Sequence, residues 1–122
     1  MTQTLKVYQS LWSMMPHDPS GEVLPLDRIA GMVRDAGYDG MAIDLGAADV
    51  EMAHAVRPHL EREGLTPLIV AFPRSVESLR DTLKMARDFG APYVNVIGQV
   101  FPLTVEGAIP VIRRWIEMSD EE

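Results

Sequence analysis

Four side chains that could bind a small hydroxylated molecule stand on or next to apolar segments: Trp12, Asp44, Asn95 and Gln99. An indole ring can stack on the apolar face of a sugar ring. A carboxylate on an apolar segment must be hydrogen-bonded, paired or functional. Each amide offers both a donor and an acceptor to a hydroxyl group. We therefore predict that these four residues bind substrate, and we assign no catalytic residue.

Each of these residues also has a structural alternative. Trp12 could instead fill the core, and Asp44 could cap a helix or bond the backbone near Gly46. Asn95 lies deep in an apolar segment, so interior hydrogen bonding has the stronger case there. Gln99 lies nearer the end of its segment, where substrate binding and interior hydrogen bonding have equal support.

Other chemistries are excluded or disfavoured by residue type and spacing. The chain has no cysteine, which excludes disulfides and thiolate chemistry. His54 and His59 are five residues apart, about 140° around a helix, so they do not form a metal-binding pair. We expect both on the surface, and His17 in a solvated loop. No phosphate-binding glycine loop, nucleophile elbow or zinc-protease motif is present.

Composition and charge narrow the class of protein. The 122 residues are 47% hydrophobic and 24% charged, which is typical of one small globular domain, residues 1–122. The net charge of -7 argues against nucleic acid and anionic membranes as partners. The longest wholly apolar run, 68–72, is far shorter than a membrane span. Without an apolar signal segment at the start of the chain, a cytoplasmic location is expected.

A repeat is marked by three glycines, Gly37, Gly64 and Gly90, each of which follows an amphipathic stretch. Glycine just past a helix adopts the left-handed conformation that ends it. Apolar residues lie four and eleven positions before each glycine, on one helical face. We predict three helices that end at these glycines, with starts near Pro25, Asp49 and Ser75. Helix two should kink or break at Pro58.

The segments after each glycine predict parallel strands. Leu5 to Ser13 forms the first strand, and three more follow the glycines. Counting four, six and eight residues forward from each glycine predicts one face that packs under helices: Met41, Ile43, Leu45, Leu68, Val70, Phe72, Val94, Val96 and Gly98. Asp44, Asn95 and Gln99 then project together from the other face. A last helix should run from Thr104 to about Met118, followed by a solvated charged tail.

Two folds share the element order β-α-β-α-β-α-β-α. A doubly wound, flavodoxin-like sheet has helices on both faces and apolar residues on both sides of its strands. Half of a (βα)8 TIM barrel has its helices on one face and leaves polar residues on the other. The second face here carries Asp44 and Asn95, so we predict four βα units that form half of a TIM barrel, with a parallel sheet.

A half-barrel leaves its two outer strands unpaired. Open strand edges invite pairing with another chain. Either the chain forms a homodimer through its exposed barrel edges, as a non-catalytic self-associating module, or it is a truncated piece of a longer protein.

The stretches 25–44, 62–67 and 86–96 resemble the xylose isomerase-like barrels, a superfamily of sugar and sugar-phosphate isomerases and epimerases. The clearest signature is Ala36-Gly37-Tyr38-Asp39-Gly40, and Asp44 falls where many members have a glutamate that ends strand two. The resemblance implies the N-terminal half of a metal-dependent isomerase or epimerase acting on a small sugar or sugar phosphate.

Members of this superfamily bind a divalent cation (Mg²⁺, Mn²⁺ or Co²⁺) mostly through the later strands of the barrel. The resemblance therefore implies a metal in the full-length parent and none bound by this chain alone. It also implies that this half supplies substrate-binding walls, without the main acid, base or metal ligands.

Overall fold

Four parallel strands form one sheet, in the order β1-β2-β3-β4. The computed structural model describes residues 4–16, 20–45, 49–98, 101 and 104–122. The elements are β1 (Tyr8–Ser10), a one-turn 3-10 helix (Trp12–Met14), α1 (Leu26–Asp35), β2 (Gly40–Asp44), α2 (Val50–Glu63), β3 (Thr66–Ala71), α3 (Leu79–Asp88), β4 (Val94–Val96) and α4 (Val105–Glu121).

The glycine repeat is confirmed. Gly37, Gly64 and Gly90 have φ angles of 90°, 67° and 69°, which is the left-handed region that glycine adopts without steric cost. After each glycine, the next backbone N–H donates to a carbonyl five residues back, as from Leu65 to Leu60 at 2.9 Å. This is the bonding of a Schellman helix end.

The helices pack on one face of the sheet. Met41, Ile43 and Ile69 are fully buried in a core that also contains Val33 and Leu60. A second, smaller cluster lies under α3 and α4 and comprises Ala71, Leu79, Leu83 and Met118. This one-sided layering is that of a half-barrel and contradicts the doubly wound alternative. None of the helices in the described segments has the length and apolarity of a membrane span.

The facing of β3 differs from the prediction. Cα pairing aligns Ile43 with Ile69 and Val94, and these three share the helix-covered face. Leu68 and Val70 therefore face the other side with Ala42 and Asp44. The prediction counted the same number of residues forward from each glycine. The paired residues Ile43, Ile69 and Val94 instead lie six, five and four residues after Gly37, Gly64 and Gly90. Each side chain of β3 therefore faces the side of the sheet opposite to the one predicted.

Several element ends also differ from prediction. β1 ends at Ser10, because the chain turns into the 3-10 helix while Leu11 is buried beneath it. α3 begins at Leu79, since Ser75 and Ser78 bond each other's backbone in a separate turn before it. α2 runs unbroken through Pro58.

α4 begins at the predicted cap, where the Thr104 hydroxyl accepts from Gly107 N–H at 3.1 Å. Its end differs from the prediction, because the helix extends through Glu121 instead of ending near Met118. The acidic end is held by α3: Arg80 donates to Glu121 and Glu122 at 2.9 and 2.8 Å. The expected solvated tail is therefore part of a helix–helix contact.

Candidate functional site

The sheet face opposite the helices, called the open face below, is defined by strand register. Its aligned rows are Ser10, Ala42 and Leu68, then Asp44, Val70 and Asn95. In a parallel sheet, register partners point to the same side, so Asp44 and Asn95 share this face as predicted. They are two strands apart, roughly 10 Å at the usual strand spacing.

Asp44 is the chemically distinctive residue of this face. It is the last residue of β2 and is half buried. Its Oδ2 accepts a hydrogen bond from the Ser10 hydroxyl at 2.7 Å and another from the Trp12 backbone N–H at 3.4 Å. A short hydroxyl–carboxylate bond is among the stronger hydrogen bonds in proteins. Asp44 is thus held rigidly between the C-terminal ends of β1 and β2.

Trp12 lies beside this carboxylate, although not in the strand where the sequence placed it. It opens the 3-10 helix Trp12–Met14, and 51% of the residue is exposed. The interior of a half-barrel is uncovered in the single chain, so this exposure is consistent with both predicted roles of Trp12. The Trp12 backbone bonds the carboxylate and the residue is half exposed, so an apolar side chain and a hydrogen-bond acceptor are held at the same end of the sheet.

The remaining predicted residues have different outcomes. Asn95 is exposed on the open face of the single chain, where the interior of the barrel is uncovered, so both of its predicted roles remain open. Gln99 and His17 lie outside the described residues. Among the helix histidines, His54 is exposed and contacts Phe89 edge-on, whereas His59 is half buried, contrary to the expectation of a surface position.

Two residues of the open face were missed by the sequence analysis as contributors to the site. Ser10 orients Asp44, and Tyr8 packs against Gly40 one row below. The sequence places both residues in the first predicted strand, two positions apart, and that spacing does not show a bond across to β2. That bond joins residues 34 apart in sequence.

A resident metal ion does not fit the described part of this face. Asp44 is its carboxylate, and no group of three or more metal-ligating side chains occurs within the described segments. Divalent cations such as Mg²⁺ require several oxygen ligands in a fixed geometry. We therefore derive no chemical step through a metal from these residues.

The fold defines the class: four consecutive βα units that make half of a TIM barrel. The chain is similar in structure to 3-dehydroquinate dehydratase from Geobacillus kaustophilus HTA426, with a TM-score of 0.63 and 18% sequence identity. The similarity covers 96% of this chain and 47% of that enzyme, so the chain spans about half the enzyme's length. At this identity the match shows the fold and not the reaction. No protein-family profile matches the chain, and no curated protein sequence does.

Proposed function

We propose that this chain forms half of the substrate-binding wall of a cytoplasmic (βα)8-barrel isomerase or epimerase of the xylose isomerase-like kind, acting on a sugar or sugar phosphate. The observation that carries the proposal is Asp44 at the C-terminal end of β2, held by the Ser10 hydroxyl and by the backbone N–H of the exposed Trp12. Active sites of TIM barrels lie at that end of the strands.

The residues have distinct roles in this proposal. The Asp44 carboxylate accepts hydrogen bonds from substrate hydroxyls, Trp12 stacks on the apolar face of the sugar ring, and Asn95 bonds a more distant hydroxyl. Gln99 is assigned to the same wall from its sequence position. An anionic carboxylate repels phosphate, so a phosphate group would bind elsewhere in the barrel.

The reaction itself is assigned to the other half of the barrel. A divalent cation bound there would polarise the substrate oxygens, while an acid and a base of that half would move the proton next to the carbonyl. This chain's residues orient the substrate and exclude water from one side. The chain alone should therefore bind sugars without turning them over.

The test is an NMR titration of the purified chain with D-xylose, D-fructose and D-fructose 6-phosphate. We expect shift changes at the Trp12 indole N–H and the amides around Asp44. Asp44→Asn should weaken binding about tenfold or more, because a hydrogen bond to a charged acceptor contributes ~1.5–3 kcal/mol. The matched control is Asp49→Asn, which makes the same charge change at a helix cap where asparagine serves as well as aspartate.

Two results would contradict the proposal. One is the absence of shift changes with any of the sugars, or shift changes that Asp44→Asn and Asp49→Asn reduce equally. The other is ketose turnover by the chain alone with added Mg²⁺, Mn²⁺ or Co²⁺, because the chemistry would then reside in this half.

The structural match supplies a second candidate, a dehydratase, because half of a 3-dehydroquinate dehydratase has the same four-unit fold. Adding 3-dehydroquinate to the titration separates the two. Binding of that acid in preference to the neutral sugars would favour the dehydratase.

A further inference from the structure

The exposed surface of this chain is larger than its mass predicts. A folded monomer of 13.6 kDa exposes about 6,600 Å² by the usual scaling of surface with mass, whereas this chain exposes 7915 Å². The excess, roughly 1,300 Å², is greater than the ~800 Å² that each partner buries in a standard protein–protein interface. The surplus surface is therefore large enough to be the face of a stable complex.

Part of that surface is an apolar stripe on α4, which consists of Val105, Ile109, Ile112 and Ile116. The spacings of four, three and four residues place them on one side of the helix. Each is between 44% and 73% exposed. Trp115 and Met118 lie on a different side of α4 and pack against the second core cluster. The stripe residues are thus only partly covered by their own chain and belong to neither core cluster.

The stripe borders a groove along the edge of β4 that no described strand pairs with. The groove has a volume of about 720 Å³, and its walls include Val96 and Gly98 from the β4 segment and Ile112 and Trp115 from α4. β4 pairs with β3 on one side only, so the groove occupies the place of a fifth strand. An apolar helix side and an open strand edge together fit an incoming β-strand with apolar residues on its helix-facing side.

The opposite end of the sheet has the complementary feature. β1 pairs only with β2, and its outer edge is unpaired by any described strand. The segment that leads into it presents Leu5 and Val7, which are 83% and 45% exposed. In a closed barrel, the strand that follows β4 lies beneath α4, and the segment that leads into β1 has exposed apolar residues for this position.

We infer that a second copy of this chain covers this surface when the chain is on its own, so that β4 of each copy pairs in parallel with β1 of the other. This barrel does not contain the second half of the proposed isomerase, so it is a non-catalytic assembly. A two-fold axis along the barrel axis makes both contacts at once and leaves no open edge. Two copies supply eight parallel strands, the number in a TIM barrel, and the half-length match is to an enzyme chain of that kind. The open face around Asp44 then lines an enclosed interior that a single copy cannot form.

Sedimentation velocity on the purified chain tests the inference. We expect a species of twice 13.6 kDa at micromolar concentration. The double variant Ile112→Glu and Ile116→Glu should sediment as a folded monomer, because charges cannot be buried in the groove and both side chains are half exposed and outside the two core clusters. The matched control is Val50→Glu, which places the same charge on an exposed apolar position of α2, away from both edges.

A second measurement locates the contact and does not depend on a disruptive variant. Because the chain has no cysteine, a protein carrying only Leu5→Cys can be mixed with one carrying only Ile112→Cys and treated with a flexible bismaleimide. We expect a cross-linked heterodimer, and none with Val50→Cys in place of Leu5→Cys. A monomeric chain, which would leave the surface to another four-strand segment, would overturn the inference. So would open-ended oligomers, or a dimer that survives the double glutamate substitution.

Discussion

At the scale of single residues, Gly40 determines how closely β1, β2 and β3 approach on the open face. A Cβ atom there would contact the Thr66 backbone oxygen and would lie 2.6 Å from the Tyr8 ring. The backbone oxygen cannot move without shifting β3. Gly40 therefore lets Tyr8 lie flat across the sheet, one row below the bond between Ser10 and Asp44.

Gly40→Ala should lower the free energy of unfolding by about 2 kcal/mol or more, because overpacking a rigid site forces the backbone to move. The control is Gly31→Ala on α1, where a new Cβ would contact nothing within 4 Å. That change should stabilise the chain by about 0.5–1 kcal/mol, since alanine favours a helix interior. Urea denaturation measures both. Equal effects of the two substitutions would show that the close approach at Gly40 is unimportant.

At the scale of elements, the sequence predicted well the three helix ends at glycines, and it predicted the strand details and the end of α4 poorly. Each helix that ends at Gly37, Gly64 or Gly90 ends by a local hydrogen-bonding pattern, which local sequence encodes. The phase of β3 depends on its pairing with neighbouring strands, and the length of α4 depends on Arg80, about forty residues away. Spacing along the chain cannot report such long-range contacts. For the same reason the sequence singled out Asp44 but not its bond to Ser10.

The contact between α3 and α4 should depend on pH through Glu121. Hydrogen bonds from Arg114, and then from Arg80, lower the pKa of Glu121 below its ordinary value of 4.5. A carboxyl group with a lowered pKa in the folded state stabilises that state at neutral pH, and this contribution is lost as the pH falls through the lowered pKa. Arg114 belongs to α4 itself and Arg80 to α3, so acid should weaken both the end of α4 and its docking on α3.

Urea unfolding from neutral pH to well below 4.5 measures this dependence. Wild type should be more stable than Glu121→Gln at neutral pH, and the difference should shrink as the pH falls. Asp120→Asn makes the same charge change one position away and controls for net charge. A constant difference between wild type and Glu121→Gln across the series would contradict the assignment.

At the scale of the whole molecule, closing the barrel should convert a chain with two open edges into one with none. If a second copy closes it, stability must depend on protein concentration, because dimerisation stabilises only the folded state. Joining two copies in one chain removes that dependence by making the second contact intramolecular. A glycine–serine linker of ~20 residues has a mean span of roughly 25 Å, with much greater reach when extended.

The joined protein should sediment at the mass of two copies and unfold at the same temperature at every concentration, whereas the unjoined chain should lose stability on dilution. The control is the joined protein with Ile112→Glu and Ile116→Glu in both copies. It has the same linker and length but should unfold at a lower temperature, as two independent half-barrels. If both joined proteins unfolded at the same temperature, the apolar stripe on α4 would contribute nothing to closure. The excess surface of the single copy would then have to be explained by some other partner.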